Sequence, residues 1–134
     1  MAATDCDIRA GIGIGRARPD PKKLSVATGE AFTLSGRAFD ETDGPDRRLI
    51  IQSSDDRVNT ALRIISYFID YIYGRMTSKQ AEVILVLLRD HTQQRAAVKL
   101  KKSQSTINKH AQAGGWNELT KLLKEYEELM RLNP

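Results

Sequence analysis

The 134-residue chain carries a formal net charge of +4 and is 40% hydrophobic, which fits one compact domain or two very small ones. Its single cysteine, Cys6, excludes an intramolecular disulfide framework, and with only His91 and His110 beside it the chain cannot build a cysteine–histidine metal cluster. We therefore expect no metal and no cofactor. The polar, acidic N-terminus does not resemble a signal peptide, so a cytoplasmic protein is expected.

The first 55 residues are expected to form a small strand–helix–strand piece. Apolar residues alternate with glycine or alanine from Ile8 to Ile14, and Leu49 to Gln52 is a short apolar run; both patterns are typical of strands. Between them, Gly29 to Phe39 has apolar and small residues at helical spacing. Two strands and one helix bury little apolar surface, so the piece needs a cover: the helices that follow, a second copy or an upstream segment.

From Asp56 onward the periodicity is helical, so residues 56–134 are expected to form an all-helical domain of about five helices in a chain that is α+β overall. The apolar stripe of its first helix contains Val58, Ala61, Leu62, Ile65, Phe68, Ile69 and Ile72, widened by Ile64, Tyr67 and Tyr71. The second helix, capped by Thr77 or Ser78, turns inward Ala81, Val83, Ile84, Leu87 and Leu88. No membrane span is expected, because the most apolar run, residues 61–73, contains two charges.

The pattern from residue 92 to residue 113 predicts a helix-turn-helix. Ala97 is small enough to let the first helix lie close against the second, while Leu100 and Ile107 face each other across the turn. Ser103 is the expected N-cap of the second helix, because its hydroxyl can accept from a backbone N–H that has no partner within the helix.

Two lysines in the turn depart from the common pattern. Lys101 stands where glycine is frequent, and a non-glycine residue in a left-handed conformation costs about 1 kcal/mol. Lys102 stands where an apolar residue is frequent, and it can lay its methylene groups over the core while its ammonium stays in solvent. Together the two lysines weaken the apolar core of the motif and add positive charge next to a bound duplex.

The motif is also where the positive charge of the chain is concentrated. From Arg89 to His110 there are six basic residues against the single acid Asp90, a net +5 over 22 residues. Because phosphate neutralisation needs such a local excess, this charge favours DNA binding over the alternative, an ordinary helical hairpin with a solvated polar face.

The candidate contacts divide into two groups. Polar side chains of the second helix are expected to reach base edges in the major groove; they are Gln104, Ser105, Thr106, Asn108, Lys109 and His110. Residues of the first helix and the turn are expected to contact phosphates; they are Gln93, Arg95, Lys99, Lys101 and Lys102.

The last helix, Trp116 to Leu132, has apolar residues at intervals of three and four, which suit either core packing or a dimer contact. One recognition helix covers only a few base pairs, so a homodimer on two half-sites is expected. We favour the N-terminal surfaces for the dimer, since Leu119 and Leu123 are needed beneath the recognition helix.

Two family resemblances accompany these patterns. The segments Met76–Glu82, Thr92–Leu100, Ser103–Ile107 and Ala113–Trp116 together look like the C-terminal part of SatD-family proteins. More distantly, they are similar to the helix-turn-helix of LuxR-type regulators and of the sigma-factor region that reads promoter DNA. These resemblances imply a DNA-binding regulator.

The N-terminal piece resembles the second half of a class III nucleotide cyclase domain, with Arg9–Gly15 as its glycine-rich central strand and Gly29–Arg37 as its helix motif. In that family, carboxylates that hold Mg²⁺ come from strands preceding the matched part. The family's asparagine is Thr33 here, and only Arg37 matches a catalytic position. We therefore expect no enzymatic activity.

Three classes of function remain open. The first is a transcriptional regulator that binds double-stranded DNA. The second is a nucleotide-sensing or enzymatic module whose other half lies on another chain. The third is an interaction module whose helical surface binds an acidic protein partner.

Overall fold

The structure, a computed structural model, describes residues 8–18, 28–44, 47–90 and 92–132. These residues group into two compact units, one ending at Asp70 and the other beginning at Tyr71. The change of periodicity at Asp56 marks the start of a helix that continues past this division. The fold class is α+β, as the sequence predicts, with a two-stranded parallel sheet near the N-terminus and six α-helices in the described residues.

The N-terminal unit is built around a strand–helix–strand unit. Strand β1 (Ala10–Ile14) pairs in parallel with β4 (Leu49–Ser53), and helix α1 (Glu30–Asp40) lies between them in the chain. A short antiparallel pair, β2 (Ala17–Arg18) and β3 (Thr28–Gly29), precedes α1, and a 3-10 turn (Glu41–Asp43) follows it. Parallel strands need a crossover connection, and α1 supplies it between β1 and β4. This explains why a helical pattern lies between two strand patterns in the sequence.

Glycines in β1 let α1 lie directly on the strand. A Cβ atom added at Gly13 would lie 2.2 Å from the carbonyl oxygen of Ala31, and one added at Gly11 would lie 2.4 Å from the backbone nitrogen of Phe39. Both distances are far inside van der Waals contact. The glycine alternation of the sequence is therefore a packing requirement of the α1 face of the sheet.

Helix α2 (Asp56–Gly74) follows β4 and is bonded to it at both ends of the strand. Asn59 accepts from the backbone nitrogen of Ser53 (2.7 Å) and donates to its carbonyl oxygen (2.9 Å). Asp70 accepts from the backbone nitrogens of Arg48 (3.0 Å) and Leu49 (3.2 Å). These side chains replace the partners that a further strand would supply.

The C-terminal unit contains four further helices, α3 (Ser78–Asp90), α4 (Gln93–Leu100), α5 (Gln104–Ala113) and α6 (Trp116–Leu132). Thr77 caps α3 through a reciprocal pair: its hydroxyl accepts from the backbone nitrogen of Gln80, and its own backbone nitrogen donates to the Gln80 side chain. The core cluster of this unit consists of Val83, Val86, Leu87, Ala96, Ile107 and Ala111, with Ala97, Leu100 and Trp116 packed against it.

Burial differs from the sequence prediction on two helices. On α3, Val86 is buried and Leu88 is only half-buried, although the sequence predicts Leu88 as an inward residue. On α2, Val58, Leu62 and Ile65 are buried as expected, whereas Phe68 is 54% exposed. The apolar stripe of α2 is wider than the surface it covers, so periodicity alone overstates the buried face.

Candidate nucleic-acid interface

The turn between α4 and α5 has a defined backbone geometry centred on Lys101. Its φ of 52° and ψ of 44° lie in the left-handed region, as predicted for this position. The Lys101 nitrogen donates to the carbonyl of Val98 (3.2 Å), and the Lys102 nitrogen donates to that of Ala97 (3.0 Å). This pair of bonds is a Schellman motif, which satisfies carbonyls at the end of α4 and turns the chain toward α5.

Each helix of the motif begins at a side-chain cap. The Thr92 hydroxyl accepts from the backbone nitrogen of Arg95 (3.3 Å) at the start of α4. At the start of α5, the Ser103 hydroxyl accepts from the backbone nitrogen of Thr106 (3.2 Å), so the predicted N-cap is confirmed. Each such cap contributes about 1 kcal/mol to helix stability.

The apolar contacts that hold α4 and α5 together differ in detail from the prediction. Ile107 is completely buried, as expected, and Leu100 packs against the cluster as a half-buried residue. The fully buried small residue of α4 is Ala96, whereas Ala97 lies at the margin of the core. The small residue at which α4 lies close against α5 is therefore Ala96, one position before the predicted Ala97.

The six proposed base-contacting residues lie on different parts of α5. Gln104, Ser105 and Lys109 are exposed. Thr106, Asn108 and His110 are half-buried. With about 100° per residue and Ile107 at the centre of the buried side, Asn108 belongs to one flank, whereas Thr106 and His110 belong to the other. The structure therefore does not bring all six residues onto a single face.

Hydrogen bonds also restrict part of this set. The Thr106 hydroxyl lies 2.9 Å from the Ser103 hydroxyl, and the Ser105 hydroxyl lies 3.3 Å from it, so all three belong to the cap of α5. On the other flank, the Gln93 side-chain nitrogen donates to the Asn108 side-chain oxygen at 3.4 Å. Gln93 and Asn108, predicted for different roles, are neighbours across the two helices.

The proposed phosphate-contacting residues surround the same motif. Arg95, Lys99 and Lys101 are exposed. Lys102 is half-buried, and its ammonium lies 3.4 Å from the carboxylate of Glu82 on α3. An ammonium that has an acidic neighbour must exchange that contact for a phosphate, so binding DNA through Lys102 requires the contact with Glu82 to be given up.

Two residues next to the motif were not among the sequence candidates. Gln112 is exposed on α5, four residues after Asn108 and eight after Gln104, so the helical spacing of the named candidates indicates it. Glu82 is 20 residues from Lys102 in the chain, and no local pattern indicates their contact.

The described part of the chain was also compared with what a membrane span, a metal site and a ligand cleft require. No helix there is both long and apolar enough to cross a membrane. Nor do three or more His, Cys, Asp or Glu side chains come together there as a metal would require. A cleft of about 400 Å³ lies between β4 and α2 in the N-terminal unit, where Arg47, Arg63 and Gln52 are among the lining residues.

Comparisons with known proteins add no relative. A scan against protein-family models, a search of curated proteins and a search of solved structures each gave no match. The residues and geometry of this chain are therefore what indicates its function.

Proposed function

We propose that the chain binds double-stranded DNA through the α4–turn–α5 motif, with α5 in the major groove. The observation that carries the proposal is the pairing of a capped, polar α5 with exposed cations in a stretch, residues 92–113, that contains no acidic residue. An α-helix fits the major groove, where each base pair presents its own pattern of donors and acceptors.

Within this proposal the exposed residues Gln104, Ser105 and Lys109 reach base edges. Asn108 lies on the same side of α5 as Gln104 and Ser105, next to the N-terminal turn of α4. Thr106 and His110 lie on the other flank and border the groove rather than enter it. Phosphates on either side are bound by Arg95, Lys99, Lys101 and Lys102, with Gln93 as a neutral donor.

The proposed biological role is transcriptional regulation by a cytoplasmic homodimer. A two-fold pair of motifs places two recognition helices on half-sites about one helical turn of DNA apart, which doubles the contacts. The resemblance to SatD-family proteins and LuxR-type regulators remains a prediction that agrees with this role. Catalysis is not part of the proposal.

The direct test is fluorescence anisotropy with labelled duplex DNA at two or more salt concentrations. We expect binding that weakens as salt rises, because bound cations displace counterions from the phosphates. The double variant Lys101→Ala, Lys102→Ala should bind every duplex more weakly and lower the slope of log K against log salt by about 2.

The matched control removes two exposed lysines from α6, Lys121→Ala with Lys124→Ala. It changes the net charge of the protein by the same amount but lies outside the motif. If both double variants lost the same affinity, DNA would be attracted by overall charge and the proposed docking face would be wrong.

A nucleotide-sensing module is the second candidate, and the cleft beside β4 is the observation that favours it. Its lining pairs two arginines, which can contact phosphates, with two carboxylates, Glu41 and Asp56, and the side-chain oxygen of Gln52 is buried without a hydrogen-bond partner among the described residues. Arg47 also donates to the Tyr67 hydroxyl and stacks over its ring, 5.2 Å from the centroid. Calorimetric titration with nucleoside mono- and triphosphates tests this candidate, with Arg63→Ala as the variant expected to lose binding.

A further inference from the structure

Two side-chain amides of the motif meet where α4 begins beside the middle of α5. The Gln93 side-chain nitrogen donates to the Asn108 side-chain oxygen at 3.4 Å, and both residues are half-buried. Neither side chain forms another hydrogen bond within the described residues. This contact is therefore the one that orients the two amides.

The backbone is held firmly on both sides of the contact. Gln93 is the first residue of α4, directly after the cap at Thr92. Asn108 follows Ile107, which is completely buried, and Ala96 of α4 belongs to the same core cluster. Side chains that stand on packed helices are positioned more closely than side chains on loops. The amide pair is therefore a fixed feature of the motif.

Asn108 also lies on the side of α5 that is proposed to enter the groove. Ser105 precedes it by three residues and Gln112 follows it by four, so the three residues form one line along the helix. Ser105 and Gln112 are both exposed. Asn108 is the half-buried middle member of this polar line, and Gln93 lies beside it.

The hydrogen bond determines which atoms of Asn108 are left for a base. An amide oxygen only accepts, and an amide nitrogen only donates. Because the oxygen of Asn108 is bonded to Gln93, the group that remains is the nitrogen with its two N–H groups. An asparagine that pairs with adenine needs both atoms, since its oxygen accepts from the adenine amine while its nitrogen donates to N7.

We infer that Gln93 makes Asn108 a reader of hydrogen-bond acceptors, so that α5 prefers guanine to adenine at the base pair that Asn108 contacts. Guanine presents N7 and O6, two acceptors side by side, in the major groove. Adenine has an amine in place of O6, and two donors would then face each other. The inference rests on the proposed DNA-binding function and adds the kind of base that is read.

Gln93 acts here as a positioning residue that can serve a second purpose. Its side-chain nitrogen carries two N–H groups, and one of them donates to Asn108. The other is left for a phosphate, which is the contact proposed for Gln93. Phosphate contacts fix the register of a protein on the duplex, whereas base contacts specify the sequence. Gln93 thus connects a phosphate contact to a base contact.

The experiment measures base preference rather than affinity alone. The full chain is incubated with a pool of duplexes that carry randomised base pairs, and the bound fraction is sequenced. Asn108→Ala should lose the preference at one base pair and keep it at the others, which identifies the base pair that Asn108 reads. In the wild type we expect guanine to be favoured over adenine there.

Gln93→Ala releases the Asn108 oxygen and should shift the preference at that base pair toward adenine. The expected change in the guanine-to-adenine affinity ratio is about twofold to tenfold, the factor that one neutral hydrogen bond contributes. Loss of the phosphate contact weakens all duplexes alike and leaves this ratio unchanged. Gln94→Ala is the matched control, because Gln94 is the next residue, is exposed and has no hydrogen bond to α5 in the described residues.

Two further measurements separate positioning from a general structural role. The double variant Gln93→Ala, Asn108→Ala should have the same guanine-to-adenine ratio as Asn108→Ala alone, because Gln93 affects the ratio only through Asn108. Without DNA, the side-chain amide signals of Asn108 in a nitrogen–proton NMR spectrum should move in Gln93→Ala and stay in place in Gln94→Ala.

An adenine preference in the wild type, or an unchanged ratio in Gln93→Ala, would overturn the inference while DNA binding itself stands. An Asn108→Ala variant with the base preferences of the wild type would overturn it as well. If the wild type binds no duplex at all, the proposed function fails and the inference fails with it.

Discussion

The two units of the molecule close their backbone hydrogen bonds in different ways. In the helix-turn-helix, every helix start and the turn itself are completed by side chains or backbone a few residues away, as at Thr92, Lys101 and Ser103. In the N-terminal sheet, β1 depends on β4, 39 residues further along, and its other edge makes no backbone hydrogen bond within the described residues. The helical motif closes its backbone hydrogen bonds locally, whereas the sheet depends on residues that are distant in the chain.

The largest expected effect is on the core of the helical unit. Ile107→Ala removes a fully buried side chain and should lower the free energy of unfolding by about 2 to 5 kcal/mol. Urea denaturation followed by the fluorescence of Trp116 reports this unit, because it is the single tryptophan and packs against the same cluster. The control Val98→Ala, at an 82% exposed position of α4, should change stability by no more than about 0.5 kcal/mol.

A glycine substitution tests the sheet alone. In Gly13→Ala the new methyl group overlaps the Ala31 carbonyl, so the N-terminal unit should lose about 1 to 3 kcal/mol. Hydrogen exchange of β1 and β4 should accelerate while the Trp116 transition stays in place. Gly36→Ala on α1 is the matched control, since nothing lies within 4 Å of the added atom and the helix should gain up to about 1 kcal/mol. Equal loss of both transitions would show that the units unfold as one.

Replacing Lys101 in the left-handed turn should change stability and DNA affinity in opposite directions. Lys101→Gly relieves a conformation that costs about 1 kcal/mol and should raise the Trp116 unfolding midpoint, while the lost charge weakens DNA binding. Lys109→Gly removes the same charge from within α5 and should destabilise the unit by about 1 kcal/mol. We therefore expect the two variants to shift stability in opposite directions, while both weaken DNA binding.

The smallest effect concerns the contact between Lys102 and Glu82. Glu82→Gln frees the ammonium for a phosphate, and an exposed ion pair is worth about 0.2 to 1 kcal/mol, so DNA affinity should rise by up to about fivefold. Anisotropy titrations measure the change. Glu125→Gln on α6 removes an acid at an exposed position outside the motif and should alter affinity less. An equal gain in both variants would assign the effect to net charge.

Sequence reasoning succeeded where the deciding contacts are local. The cap at Ser103, the left-handed Lys101 and the strand–helix–strand order follow from neighbouring residues or from periodicity. The burial of Val86 and the exposure of Phe68 could not be predicted, because they depend on which surfaces other elements cover.

In the candidate site, too, local patterns predict some features and tertiary contacts decide the others. Helical spacing indicates which residues share α5, but not that Asn108 meets Gln93 or that Thr106 is held by the cap. The contact of Lys102 with Glu82 joins residues 20 apart, and only the packing of α3 against the motif creates it. Local patterns thus identify the candidates, and tertiary contacts determine which of their polar atoms already have partners.

The side chains of Asn59 and Asp70 also protect the edge of β4 from the addition of another strand. A sheet open on both sides could recruit copies without end and produce a filament. Here Asp70 and Asn59 accept from the outward N–H groups of Leu49 and Ser53, so a strand added at the β4 edge would first have to displace them. Two polar residues on one helix thereby oppose open-ended polymerisation through β4, and replacing both with alanine would remove that safeguard.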